Sequence, residues 1–385
     1  MRPAERSGFD VQMMQIALGL AARGLGRTAP NPSVGAVIAD EHTGEVIARA
    51  WTAPGGRPHA ETIAIAQAGD RARAATMYVT LEPCSHHGMT PPCADAIVGA
   101  GLARVVCAIE DPDPRVAGRG LAQLRNAGLT VERGLLVEAA HWIAAGHILR
   151  VTERRPLVTA KLALDAAGSV PRGIAGKPVW ATGEAARAVG HLLRARSDAI
   201  LVGRGTVVAD DPMLTCRLPG LEARSPVRIV LARVLAGLEK SRLAQSARQY
   251  PLWVFCPEDA DASALRAAGA EVVPVRLIGG EFWLPAIMET LVARGITRLL
   301  LEGGPATWSA FSRAGLIDAA VLFHARRPDG GELAPAAAFA ALNRYVTTGG
   351  FDIYDRRTIG GDDMLAVRRP WHRGGRHGQN EATQR

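Results

Sequence analysis

Short apolar runs alternate with helix-length segments along almost the whole chain, and the alternation breaks once, at the charged stretch VTERRP ending in Pro156. Strands alternating with helices predict layered α/β domains. A length of 385 residues suits two of them. Before the break, Asp10 is placed to cap a helix through VQMMQIALGLAARGLG, and PNPSVGAVIAD and EVIARAW read as strands joined at Thr43-Gly44. HAETIAIAQAG reads as a helix closed by Gly69, MYVTLE as a strand, and PPCADAIVGAG as a helix with prolines in its first turn and Gly101 as its stop. RVVCAIED is a strand, and GRGLAQLRNAG and LLVEAAHWIAAGHILR are helices. After the break, LVTAKLAL, DAILVG, VRIVLA, LWVFC, EVVPVRL, RLLLEGG and DAAVLFHA read as strands, with GEAARAVGHLLRAR and PATWSAFSRAG as helices. The polar, Gly-rich residues after Trp371 are expected to be disordered. No internal repeat relates the two halves.

Apolar residues make up 48% of the chain and charged residues 21%, which excludes disorder as its main state. No apolar run approaches the roughly 18 residues of a membrane span. The start MRPAERSGFD has no apolar core after its charges, so it is not read as a secretory signal, and a cytoplasmic protein is expected. Five cysteines make no disulfide scaffold and point instead to metal binding or catalysis. The net charge is 45 − 37 = +8, and Arg368 to Arg385, with five Arg and one Glu, supplies +4 of it. The mild remainder does not demand a nucleic-acid partner and is equally compatible with a small phosphorylated ligand.

His59-Ala60-Glu61 opens a predicted helix, Glu82-Pro83-Cys84 ends a predicted strand, and Cys93 opens the next helix. One imidazole and two thiolates suit tetrahedral zinc (Zn2+) with a fourth position left for water. Both thiols stand at or near helix N-termini, where the dipole favours the thiolate. Glu61, two residues from the His59 ligand, is placed to carry a proton without binding the metal, the layout of hydrolytic deamination. An isolated H-x-E means little, and a Cys pair alone reads equally as a disulfide or as buried thiols; together they favour the metal. Eight residues separate Cys84 from Cys93, unlike the P-C-x-x-C pattern of zinc deaminases, and this argues against the nucleic-acid and simple nucleoside branches. His86 and His87 read as loop residues, and Cys107, Cys216 and Cys256 as core thiols.

HAE followed by TLEPCSHHGMTPPCADAI, with PNPSVGAVI upstream and EDPDPRVAGRG downstream, resembles the deaminase half of the bifunctional riboflavin-biosynthesis deaminase/reductase family. GHLLRARSDAILVGRGTVVADDPMLTCR is similar to its reductase half, so the likeness runs from about residue 10 to about residue 370. It implies a cytidine-deaminase-like three-layer αβα domain over residues 1–150, a dihydrofolate-reductase-like α/β domain over 156–372, and a basic tail over 373–385. It further implies zinc on His59, Cys84 and Cys93, with Glu61 catalytic. The implied substrate is a phosphoribosylated diaminopyrimidinone that loses a ring amine and then has its ribose reduced by NADPH. Asn31 is either a contact to the pyrimidine or a turn residue between two prolines.

The second half has no G-x-G-x-x-G. It has Gly303-Gly304-Pro305 between a strand and a helix, and the Gly-rich turn of ILVGRGTVVADDP, both compatible with a bound nucleotide. The resemblance implies cofactor contacts at Ala163, Trp180, Thr206, Asp210, Gly304, Pro305, Ala306 and Thr307, with the backbone continuing to Ala310. It implies substrate contacts at Arg194, Leu214, Arg217 and Glu302, the two arginines being apt for a phosphate. By pattern alone Arg194 reads as a solvated helix face and Trp180 as a core aromatic. Lys161 is one of three Lys among 45 basic residues, and either faces the substrate or snorkels from a strand edge.

The chain departs from the family at Asp165 (usually Ser), Ala167 (usually Asp), Pro178 (often Ser) and Ala232 (usually Asp). These positions are expected to line the reductase site, which makes a slowed reductase, or an active deaminase with a degenerate second domain, the alternative to full bifunctionality. A homo-oligomer, dimer or tetramer, is expected, with no nucleic-acid or membrane partner.

Overall fold

The computed structural model describes residues 3–86, 91–171, 173, 179–326 and 350–371. His87, Pro178 and the tail 373–385 lie outside the described residues. The chain divides into two compact units, one running to Arg155 and taking in Trp371, the other spanning Pro156–Pro370.

The first unit holds a five-stranded sheet of β1 (Gly35–Asp40), β2 (Glu45–Trp51), β3 (Thr76–Val79), β4 (Arg104–Cys107) and β5 (Thr130–Arg133), in the order β2-β1-β3-β4-β5. β1 runs antiparallel to β2 and β3, and β3, β4 and β5 are parallel. α1 (Pro3–Gly24) packs on α5 (Val137–Thr152), while α2 (Ala60–Ala68) packs on α3 (Cys93–Gly99) and α3 on α4 (Arg119–Asn126). These two groups are the covering layers of a three-layer αβα unit. All four residues of β3 and of β4 are buried, as central strands covered on both faces require. A Cβ on Gly35 would stand 1.9 Å from the Ala17 carbonyl oxygen, so only glycine lets α1 lie this close to β1.

Two local expectations are corrected. Asp10 does not cap a helix; it lies inside α1, and its buried carboxylate accepts from Tyr78 Oη at 2.6 Å and from Arg104 Nη1 and Nη2 at 2.9 and 2.7 Å. A carboxylate taken from water needs such partners. β5 is a strand the sequence did not announce, because three of its four side chains are exposed and it carries no apolar alternation.

The second unit holds β6 (Leu157–Leu164), β7 (Ala199–Gly203), β8 (Val227–Leu231), β9 (Leu252–Pro257), β10 (Glu271–Val275), a two-stranded pair β11 (Leu277–Ile278) and β12 (Glu281–Phe282), β13 (Arg298–Leu301), β14 (Ala319–His324), β15 (Asp352–Ile359) and β16 (Asp362–Arg368). Its main sheet has nine strands, ordered β10-β9-β8-β7-β13-β6-β14-β16-β15. It is parallel from β10 through β14, and β14, β16 and β15 are antiparallel. Its helices are α6 (Glu184–Ala195), α7 (Arg204–Asp210), α8 (Arg242–Gln245), α9 (Ser263–Ala267), α10 (Leu284–Ala293) and α11 (Pro305–Arg313). Ala199 and Leu201 pack into one core and Ile200 and Val202 into another. Both faces of β7 are therefore buried, which is why it reads as a continuous apolar run.

β13 inserts between β6 and β7, so the chain leaves β6 in one direction and later returns beside it. In open α/β sheets, ligands bind at the carboxyl ends of strands where the order reverses in this way. Among the described residues, no helix is long and apolar enough to cross a membrane.

Candidate active sites

In the first unit, His59 is the N-cap of α2, Cys93 is the first residue of α3 after Pro92, and Cys84 lies in the loop after β3. The His59 Nδ1 atom is 3.3 Å from Cys93 Sγ and 3.7 Å from Cys84 Sγ, and the Cys93 amide donates to Cys84 Sγ at 3.3 Å. All three donor atoms fall within 4.8 Å of one another. The Cys93 thiol donates to Cys84 and, against the effect of burial, holds the Cys84 pKa at about 4, helped by His59. Cys93 is pushed up in turn. Glu61 lies in the first turn of α2, 3% exposed, and its Oε2 is buried without a hydrogen-bond partner. Burial raises its pKa above the ordinary carboxylate value, while His59 pulls the other way. One imidazole, two thiols and an orphaned buried carboxylate oxygen fit a zinc ion with a vacant ligand position for water. His86 is not part of this donor group.

Asn31 donates through Nδ2 to the Gly56 carbonyl at 2.9 Å, which ties it to the turn three residues ahead of His59. Cys107, Cys216 and Cys256 are free and buried.

Sequence reasoning overlooked Glu82. Its buried carboxylate accepts from three backbone amides, those of Asp111 at 3.2 Å, Gly118 at 2.9 Å and Leu121 at 3.2 Å. It thereby fastens the 111–118 loop and the start of α4 to the segment that carries Cys84. Asp111 in turn meets His147 Nε2 at 2.9 Å, with both side chains buried. The available signal was an acidic residue directly after the apolar strand and directly before Pro83-Cys84.

In the second unit, a cavity of about 810 Å³ opens where β6, β13 and β7 end. Every cofactor or substrate position expected there from Lys161 through Thr307 lines it: Lys161, Ala163, Trp180, Arg194, Thr206, Asp210, Leu214, Arg217, Glu302, Gly304, Pro305, Ala306 and Thr307. Gly304 is the N-cap of α11, and its amide donates to Thr206 Oγ1 at 3.2 Å, joining the two glycine-rich turns. A Cβ on Gly303 would stand 2.7 Å from Thr307 Cβ, so a side chain there would push α11 off the strand end. Asp210 accepts from the Gly173 amide at 3.0 Å, and burial raises its pKa.

Arg194 and Glu302 face each other inside the unit, with Nε on Oε1 and Nη2 on Oε2, both at 2.9 Å. Arg194 Nη1 also donates to the Thr215 carbonyl at 3.0 Å. Burial alone would raise the Glu302 pKa, but the Arg194 charge and hydrogen bond bring it down to about 2. Lys161 lies beside this pair, and burial lowers its pKa. Burial, reinforced by the charges of Arg194 and Arg217, brings His191 down to about 4. The pattern-only readings of two residues are corrected. Arg194 is not a solvated helix face, because its side chain is only 14% exposed and ion-paired. Trp180 is not a core aromatic, because it is 59% exposed at the cavity with the Arg187 guanidinium 5.2 Å above its ring.

The expectation that the departing positions line this site is also corrected for those described. Asp165, Ala167 and Ala232 are absent from the cavity wall. Asp165 Oδ1 accepts from the amides of Ala167 and Ser169 at 3.0 and 2.9 Å, closing a tight turn, and Ala232 is buried in the core.

Residues 8–109 match the family model of the cytidine and deoxycytidylate deaminase zinc-binding region, and residues 160–331 that of the RibD C-terminal domain. The riboflavin biosynthesis protein RibD of Aquifex aeolicus (strain VF5) is 38% identical over 315 residues, covering 82% of this chain and 86% of that protein. The Escherichia coli (strain K12) protein of the same name is 35% identical over 367 residues, covering 92% of this chain and 98% of its own. Among solved structures, Acinetobacter baumannii RibD, form 1, superposes with a TM-score of 0.78 at 32% identity, over 94% of this chain and 99% of that one. A diaminohydroxyphosphoribosylaminopyrimidine deaminase/5-amino-6-(5-phosphoribosylamino)uracil reductase from Thermotoga maritima gives 0.79 at 32% identity, over 94% and 99%.

Proposed function

The chain belongs to the RibD family of riboflavin biosynthesis proteins, and on that premise we propose how its two sites divide the work. It is a bifunctional enzyme, a deaminase joined to a reductase. We assign residues 1–150 to the deaminase and 156–372 to the reductase. The first substrate is 2,5-diamino-6-(5-phosphoribosylamino)pyrimidin-4(3H)-one, the cofactors are Zn2+ and NADPH, and the enzyme is a cytoplasmic homo-oligomer.

One observation carries the deaminase half: three metal-compatible donors converge beside the buried, unpartnered Oε2 of Glu61. Zinc, when bound, supplies the Lewis acidity that makes water nucleophilic near neutral pH. His59, Cys84 and Cys93 hold it. Glu61 takes a proton from the attacking water and delivers it to the departing amine, so that water replaces the ring amine and ammonia leaves. Burial lifts the Glu61 pKa toward the operating range that such a shuttle needs. Asn31, fixed by Gly56, offers its remaining amide atoms to the pyrimidine.

The cavity of the second unit supports the reductase half. NADPH, when bound, would supply the hydride that reduces C1′ of the ring-opened imine, with solvent supplying the proton to the imine nitrogen, and the ribityl product keeps its phosphate. The α11 N-terminus from Gly304 to Thr307, with Thr206, receives the cofactor's phosphates, while Ala163, Trp180 and Asp210 flank the rest of it. Glu302, Lys161, Leu214 and Arg217 face the substrate. Arg194 binds it with its remaining donors and keeps Glu302 ionised.

The test is one reaction mixture of substrate and NADPH in which ammonia release and NADPH loss are followed together. Equal amounts of both are expected. Ammonia without NADPH loss would leave only the deaminase.

A further inference from the structure

The cavity of the second unit is lined by four arginines whose situations differ. Arg194 is committed to Glu302 and to the Thr215 carbonyl, and Arg187 donates to the Thr182 carbonyl at 2.7 Å while covering Trp180. Arg217 and Arg242 are exposed on the cavity wall, and neither guanidinium has a partner among the described residues. Their charges act on each other: after burial, Arg194 and Arg242 are what depress the Arg217 pKa. Arg242 is held in place through its main chain, its amide donating to Asp211 Oδ1 at 2.8 Å. Asp211 lies on the same wall at a positive φ of 39°. Two unpaired guanidiniums facing one cleft repel each other until an anion lies between them. A phosphate monoester carries close to two negative charges and takes bidentate contacts from such forks.

We propose that Arg242 is, together with Arg217, a ligand of the substrate's 5-phosphate, and that it selects phosphorylated over dephosphorylated substrate. This rests on the reading of the site given above, in which the reductase takes a phosphoribosyl compound. Arg242 acts on Arg217, which the reading above gives to the substrate, and this favours the substrate's phosphate over the rival monoester, the 2′-phosphate of NADPH; the KM for NADPH decides between the two.

The experiment uses the full chain and compares the deaminated phosphoribosyl substrate with its dephosphorylated nucleoside, following NADPH loss, with ribose 5-phosphate as a competitive inhibitor. Arg242→Ala is expected to raise KM for the phosphorylated substrate and the inhibition constant of ribose 5-phosphate together, by about ten- to a hundredfold, as loss of a charged hydrogen bond does. The nucleoside's kcat/KM and the KM for NADPH stay at wild-type values, and Arg242→Lys recovers part of the loss. The Asp211 contact is to the main chain, so the variants keep it, and their unchanged rate on the nucleoside reports an intact reductase unit. Equal losses on both substrates, an unchanged phosphorylated KM, or a raised NADPH KM would each overturn the assignment. A wild-type enzyme that treats the two substrates alike would instead overturn the parent reading, a result obtained before any variant is made.

Discussion

The Arg194 guanidinium and the Glu302 carboxylate, 108 residues apart, meet edge to edge through two hydrogen bonds of 2.9 Å. The Glu302 side chain is 9% exposed and that of Arg194 14%. The pair lines the cavity of the second unit together with Lys161.

Replacing Glu302 by Gln strands that arginine. The folded pKa of about 2 lies below the ordinary 4.5, so the pair's contribution is complete above about pH 4.5 and is lost as pH falls toward 2. Breaking a buried ion pair by removing one partner typically costs about 3–5 kcal/mol, because it leaves the other charge uncompensated. Urea unfolding of Glu302→Gln should show a deficit of that order near neutral pH, shrinking as the wild type is acidified below about pH 4.5. A deficit that does not change with pH would show that the ion pair is not its cause.

The burial of Lys161 costs stability, and the proposed contact with substrate is a reason for that cost. Burial lowers its pKa, so the unfolded chain binds the proton more readily, and the fold gains stability as pH rises through the lowered value toward 10.5. Lys161→Met should therefore raise the melting temperature near neutral pH, with the gain fading at alkaline pH. The reductase kcat/KM should fall about ten- to a hundredfold, because a charged donor to the substrate is lost. A variant that is both more stable and fully active would remove Lys161 from the site.

The turn at Asp165 looks like a damaged family motif in the sequence and is an intact turn in the structure. Its carboxylate serves the Ala167 and Ser169 amides, and neither Asp165 nor Ala167 lines the cavity. Restoring the family residues with Asp165→Ser and Ala167→Asp should leave the NADPH-dependent rate within about twofold, a change of under ~0.5 kcal/mol. A rate increase above tenfold would show that this stretch limits the reductase.

What could be read from the sequence was whatever is local or carried by a dense motif. His59, Cys84 and Cys93 declare themselves because candidate metal ligands fall at strand ends and helix starts, and Glu61 because it stands two residues from His59. The apolar strands β6, β7 and β13 declare themselves because both faces are buried. Asp10 was misread because its partner Arg104 is 94 residues away, and a local reading sees only an acidic residue before an apolar run. β15 was missed because most of it is exposed, leaving the Gly360-Gly361 turn as the hairpin signal, and β16 was passed over with it although it is mostly buried. Glu82 was passed over because its three partners are backbone amides, which no side-chain pattern reveals.

Glu82 should matter for both stability and metal retention. Glu82→Ala orphans three amides beside the Cys84 segment, at about 1–3 kcal/mol for each one that stays dry. The deaminase unit should unfold at lower denaturant and lose zinc to a chelator faster than the wild type. Unchanged zinc release from a destabilised variant would separate the loop's anchoring from the metal ligands.

Glu61 allows the sharpest separation of roles. Its Oε2 is buried without a partner and its pKa is raised by burial, so it is held ready to exchange a proton. Glu61→Gln keeps the shape and removes that exchange. Ammonia release should fall by about 10²- to 10⁴-fold, the usual worth of a positioned acid–base group. Zinc content should stay near one equivalent, and reduction of substrate supplied already deaminated should continue at the wild-type rate. Cys93→Ser should instead remove the metal and the deaminase activity together. If Glu61→Gln lost zinc as Cys93→Ser does, Glu61 would be a ligand, and the proton would have to travel by another group.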